Sequence, residues 1–186
     1  MIMNSWRLTP QNTALVVVDV QERLMAAMAR RAETVTAVDK LVRAARILQL
    51  PAIVTLQYVK GLGPLCAELA EATAGLPVME KLTFSCCGSA EFVRTLKGLG
   101  RQRIILCGVE AHVCVQQTAL DLLQDYSVYV PVDAICSRKE LDATVAVERL
   151  RERGAVITTV ESAVFELLRE AGTPQFKACL PLFKSA

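Results

Sequence analysis

A chain of 186 residues with 53% hydrophobic side chains can bury a substantial core, and its length fits one domain over residues 1–186. Its 21 basic and 19 acidic residues leave a net charge of +2 with no block of like charge, which argues against nucleic-acid and membrane-surface partners and for small molecules. Seven cysteines, an odd number without a CxxC pair, do not make a disulfide framework, so free thiols in a reducing compartment are expected.

The opening MIMNSWRLTPQNTALVVVDVQ has neither the basic start nor the long apolar run of a signal peptide or membrane span, and the protein reads as cytoplasmic. Its apolar part, ALVVVDV at 14–20, is the first of six short β-branched runs. The others are AIVTLQ at 52–57, PVMEK at 77–81, RIILCGV at 103–109, SVYVPVD at 127–133 and AVITTV at 155–160. Each has the composition of a strand buried on both faces. Helical stripes fall between them: Val35, Val38, Leu41, Val42, Ala45 and Leu48; then Val115, Ala119, Leu122 and Leu123; then Ala143, Ala146, Val147 and Leu150. Residues 59–76, with two glycines and a proline near their start, read as a loop region over a site. Strand and helix alternate, which predicts a three-layer α/β fold: a doubly wound, six-stranded parallel sheet with helices on both faces.

Ligands of such sheets bind beyond the carboxyl ends of the strands, where the strand order reverses. Asp19, Gln57, Lys81 and Asp133 end runs there, and Cys114 follows the fourth run by one turn. An unpartnered Asp19 would be pushed by burial towards a usable general base, but its position equally suits a cap for the segment from Gln21. Lys81 could bring positive charge to a thiolate, or be a solvated surface lysine. Cys114, at the start of a helical pattern after the Gly108 break, would have its pKa lowered by the helix dipole, whereas Cys107 reads as core. Cys86 and Cys87 are close enough to Lys81 in sequence to line the same pocket. His112, the only histidine, is two residues from Cys114 and would not face it on a helix, so a Cys–His dyad fits poorly and a carboxylate must serve as base. One histidine and no paired-ligand motif argue against zinc, and the absence of GxGxxG and GxxxxGK[ST] removes the nucleotide-cofactor readings. No cofactor is expected.

The stretches ALVVVDVQERL, MEKLTFSCCGS and ILCGVEAHVCVQQTALDLL, in this order, resemble the isochorismatase-like cysteine hydrolases, a Rossmann-like family, and TTVESAVFELLREAGTPQFK is similar to the C-terminal segment of its members of unassigned substrate. The resemblance implies an Asp19, Lys81 and Cys114 triad that hydrolyses a small amide or related carbonyl compound through a thioester, without metal. It further implies a cis peptide between Val109 and Glu110 and an oxyanion hole from the backbone N–H groups of Glu110 and Cys114. Homo-oligomers, dimers or larger, are implied as well. The chain lacks the Asp-x-His and Thr-Asp pairs of family nicotinamidases, and it has the cysteine that the namesake vinyl-ether hydrolases lack. Both departures argue against those substrates. Gln21, Gln57, Tyr58, Phe84, Glu110 and His112 are candidate pocket residues, each of which could instead pack or cap. The alternative function is a non-catalytic binding or scaffolding domain that keeps the fold.

Overall fold

The computed structural model describes residues 7–184, so the first residues of the N-terminal segment fall outside it. Thr13–Val18 forms β1, Ala52–Gln57 β2, Val78–Lys81 β3, Arg103–Val109 β4, Ser127–Pro131 β5, Ile135–Cys136 β6 and Val156–Thr158 β7. The strands pair in parallel in the order β3-β2-β1-β4-β5-β7, and the short β6 adds to the end of β4. The expected doubly wound sheet is present with one strand more than the sequence pattern predicts. Two residues, Ile135 and Cys136, carry no periodicity from which β6 could be read.

Alternate residues of each central strand enter opposite cores, as the period of 2 requires. Leu15 and Val17 of β1, with Ile105 and Cys107 of β4, pack against helices Arg31–Ile47 and Val160–Leu168. Ala14, Val16 and Val18, with Ile104 and Leu106, pack against Ala90–Gly98, Gln116–Leu122 and Glu140–Glu152. These two cores make the three layers. All six residues of the first helical stripe are buried. The expectation of strands buried on both faces fails at the sheet's ends: β3 exposes Val78 and Glu80 while burying Met79 and Lys81, and β7 is half-buried throughout. Both are edge strands, covered on fewer sides than the center of the sheet.

The chain goes from β1 out to β3 and returns to β4 on the other side of β1, so the order reverses between β1 and β4. There Val18 lies opposite Gly108. Gly108 has φ +112°, and a Cβ on it would come within 2.0 Å of the Val18 carbonyl oxygen. Only glycine permits this approach, which sets the ends of the two strands side by side.

Candidate active site

Asp19, immediately after β1, adopts φ +54°, a left-handed conformation in which Asp is among the better tolerated residues. Its side chain is fully buried. One carboxylate oxygen accepts the Thr55 hydroxyl at 2.8 Å and the other accepts Lys81 Nζ at 2.7 Å. The helix-cap reading therefore fails, since Gln21 heads the turn Glu22–Met25 and the Asp19 carboxylate is spent within the sheet rim. The surface reading of Lys81 fails too, because its side chain is 2% exposed.

Lys81 ends β3 opposite Gln57, the end of β2. Besides Asp19, its ammonium faces Gln57 Oε1 at 2.7 Å and the carbonyl oxygens of Thr83 and Phe84 at 3.2 and 3.1 Å. Three N–H groups are thus shared among four acceptors, and Lys81 acts on neighbouring sulfur through its charge.

Cys114 is buried in the π-helical turn Ala111–Val115, which follows a cis peptide bond between Val109 and Glu110. Its thiol lies in the field of the Asp19 carboxylate and the Lys81 ammonium. Contrary to the helix-dipole expectation, the thiol pKa is pushed up, first by burial and then by the Asp19 carboxylate, with Lys81 opposing. Burial and a buried anion outweigh a dipole field at the start of a short irregular helix. The resting side chain is a neutral thiol beside an ion pair.

With that geometry in view, comparison with known proteins places the chain. The isochorismatase-domain family profile matches residues 13–162. The chain belongs to the isochorismatase family. It is 38% identical over 183 residues to the secreted isochorismatase effector Isc1 of Phytophthora sojae, covering 96% of this chain and 87% of that one. The structure of MAR1 ribonuclease from Caenorhabditis elegans superposes with a TM-score of 0.90 at 40% identity, covering 95% of this chain and 92% of the other. The YcaC gene product of Escherichia coli, described as an octameric hydrolase of unknown specificity, has a TM-score of 0.90 at 27% identity over 97% and 91% of the two chains. The fold is thus that of an isochorismatase-family hydrolase.

On this isochorismatase fold the other candidates separate. Asp133 leaves the rim: it lies in the turn Val132–Ala134 and caps Val160 N at 2.9 Å. Gln21 is fully buried, and its amide holds only backbone, donating to the carbonyls of Gln57 (3.0 Å) and Gly63 (2.7 Å) and accepting Gln57 N–H (2.7 Å). It fastens residues 59–66 rather than reaching into a pocket. That region is not a plain loop but the short helical turns Val59–Leu62, Ala67–Leu69 and Ala70–Thr73. Gln57 Nε2 donates to the Leu82 carbonyl, so both ends of its amide serve the Lys81 loop. His112 Nδ1 sits 2.9 Å from Ser137 Oγ. The Glu110 carboxylate accepts from Arg138 N (3.1 Å) and Nε (3.0 Å), while its carbonyl accepts from Val113 and Val115 N–H. Tyr58 and Phe84 stand at the rim, 50% and 54% exposed.

Two buried residues, Thr55 and Thr118, went unnoticed in the sequence, and of the pair Cys86 and Cys87 only Cys86 joins the site. Thr55 shares a face with Gln57 by the period of 2 and could have been found from it. Cys86 is buried with its sulfur 3.6 Å from Thr55 Oγ1, whereas Cys87 is half-buried in a separate cleft beside Asp121 and Tyr126. Thr118 accepts Cys86 N–H at 2.9 Å. Among the described residues, Glu22, Cys66 and Glu68 form one group of possible metal donors. The Arg31 guanidinium already spans both carboxylates, at 3.5 and 2.8 Å, and burial pushes the Cys66 thiol up to about 11.

Proposed function

We propose that the protein is a metal-independent cysteine hydrolase, a single domain over residues 1–186, that cleaves a small amide or related carbonyl compound through a thioester on Cys114. The observation that carries this reading is the buried Asp19 carboxylate, held by Lys81 and close enough to the Cys114 thiol to push its pKa up. Because the resting sulfur is protonated, Asp19 takes the proton as sulfur attacks the carbonyl carbon, and Lys81 offsets the charge that collects between them. The backbone N–H groups of Glu110 and Cys114 receive the oxyanion. Collapse of the tetrahedral intermediate breaks the C–N bond, and Asp19 returns its proton to the leaving amine. Water, deprotonated by Asp19, then attacks the thioester, releasing the acid and the thiol.

Tyr58 and Phe84 supply apolar walls at the rim, with His112 as a further wall candidate. Self-association is proposed as well, since Tyr58, Leu82 and Phe84, just past the ends of β2 and β3, are exposed and the Escherichia coli neighbour is described as an octamer. We place the protein in the cytoplasm because all seven cysteines are free. No helix among the described residues is long and apolar enough to cross a membrane.

The ribonuclease description of the Caenorhabditis elegans neighbour gives a second reading, which needs cations for phosphate. Near the triad, Lys81 is paired with Asp19 and Arg138 with Glu110, so the amide reading is preferred. A panel of small amides and a structured RNA, each assayed with wild type and Cys114→Ala, tests both. Amide hydrolysis that falls by about 1000-fold or more in the variant, with an acyl adduct on the intact wild-type mass, supports the proposal. RNA cleavage lost with Cys114 would overturn it in favour of the second reading. Failure of every substrate would favour a non-catalytic binding domain.

A further inference from the structure

We propose that Thr55 and Cys86 are positioning residues: a chain of hydrogen bonds from the helix that follows Cys114, through Cys86 and Thr55, fixes the orientation of the Asp19 carboxylate. This rests on the reading of Asp19 as the partner that takes the Cys114 proton.

The direction of each bond follows from what each group can donate. An ionised carboxylate only accepts, so the Thr55 hydroxyl hydrogen goes to Asp19 Oδ1 at 2.8 Å. Thr55 then has no hydrogen left for Cys86 Sγ at 3.6 Å, and the Cys86 thiol must donate to Thr55 Oγ1. Cys86 is placed for this by its own N–H, which donates to Thr118 Oγ1 at 2.9 Å. Thr118 lies one turn beyond Cys114, in helix Gln116–Leu122. Asp19, Thr55, Cys86 and Thr118 are all buried, so no water competes for these bonds.

Two consequences follow. Cys86 keeps its proton to hold Thr55, which separates its role from that of Cys114 although both sulfurs are near the ion pair. The carboxylate is also held from two sides, by Thr55 on Oδ1 and by Lys81 on Oδ2, so movement of the Cys114 helix is felt at the base. Such a bonded buried network orients a reacting group at little reorganisation cost.

The test reads Cys114 directly. The titratable groups that face its thiol are Asp19, Lys81 and Cys86. The rate of iodoacetamide labelling of Cys114 near neutral pH, followed by peptide mass spectrometry, reports its thiolate fraction without any substrate and without leaving the range in which the fold is stable. Thr55→Val keeps the shape of the side chain but removes its donor, leaving the carboxylate charge less satisfied beside the thiol. Its labelling is expected to slow by roughly 10-fold. Thr55→Ser should restore the wild-type rate, and Cys86→Ala should slow it by less. A Thr55→Val rate equal to wild type, or a Thr55→Ser change as large as that of Thr55→Val, would overturn the proposal. Should Thr55→Val not fold, an unchanged rate in Cys86→Ala does so. Activity surviving in Cys114→Ala would sink the hydrolase reading alone and leave the labelling comparison decisive for this one.

Discussion

Lys81 Nζ stands 2.7 Å from Asp19 Oδ2, with 2% and 0% of the two side chains exposed. A buried pair gains little over apolar residues of the same shape, but breaking it from one side strands a charge. Lys81→Met should therefore cost about 3–5 kcal/mol of stability, because the Asp19 carboxylate loses its counter-ion. Combining it with Asp19→Asn should recover part of that loss. Urea unfolding of the two single variants and the double variant measures this, and purely additive losses would show that the pair is not coupled.

Gly108 and Val18 face each other where the strand order reverses. Gly108→Ala puts a methyl group 2.0 Å from the Val18 carbonyl oxygen at φ +112°, so either the strands separate or the backbone leaves that conformation. A loss of about 3 kcal/mol or more is expected. Since Asp19 follows Val18, the distortion reaches the ion pair, and hydrolytic activity should fall even in the fraction that stays folded. Active-site titration against folded protein separates the two effects.

The layers of the fold and the rim of the site were legible because they follow from local chemistry. Apolar runs such as RIILCGV must be buried, and polar groups that end them must gather where the strands end. Spacing alone left Asp19 open between base and cap, and only the approach of Thr55 and Lys81 from other strands removes the cap. The Cys114 thiol was misjudged because a dipole can be read from one helix, whereas burial and the Asp19 charge come from distant segments. Gln21 had the right address but other partners, fastening Gly63 and Gln57, while Asp133 leaves the rim altogether to cap Val160. An address at the rim is set by sequence order; a side chain's partners are set by packing.

Buried thiols give the protein a pH dependence of stability. Burial holds Cys66 and Cys87 up to about 11, and it also raises Cys86, Cys107, Cys114, Cys136 and Cys179. The unfolded chain releases these protons near the ordinary thiol value while the folded chain keeps them, so unfolding becomes easier as pH rises between the two. Stability should hold in full below the ordinary thiol pKa and decline above it, towards about 11 for Cys66 and Cys87. Raised Tyr126 and Tyr129 act in the same direction. Urea midpoints on either side of the ordinary thiol value measure the decline, and Cys66→Ala should flatten it; a rising midpoint in that range would contradict the account.

Gln21 ties the segment after β2 to the rim. Its amide makes three bonds to backbone groups of Gln57 and Gly63, and its own backbone bridges to Leu65. Gln21→Ala leaves buried N–H and C=O groups unpaired, at a cost of about 1–3 kcal/mol for each group left unmet. The loss should be local before it is global. Amides of residues 57–66 should exchange with solvent faster while those of β1 and β4 keep their protection, because the central strands remain paired. Gln57, which carries Oε1 to Lys81, would loosen with that segment, so activity should fall more than the stability loss alone accounts for. Gln21→Glu separates shape from bonding: it fills the same space and keeps an acceptor for Gln57 N–H, yet even when protonated it has one donor hydrogen for the two carbonyls of Gln57 and Gly63. If Gln21→Glu exchanges as slowly as wild type, the two donated bonds are not what holds the segment.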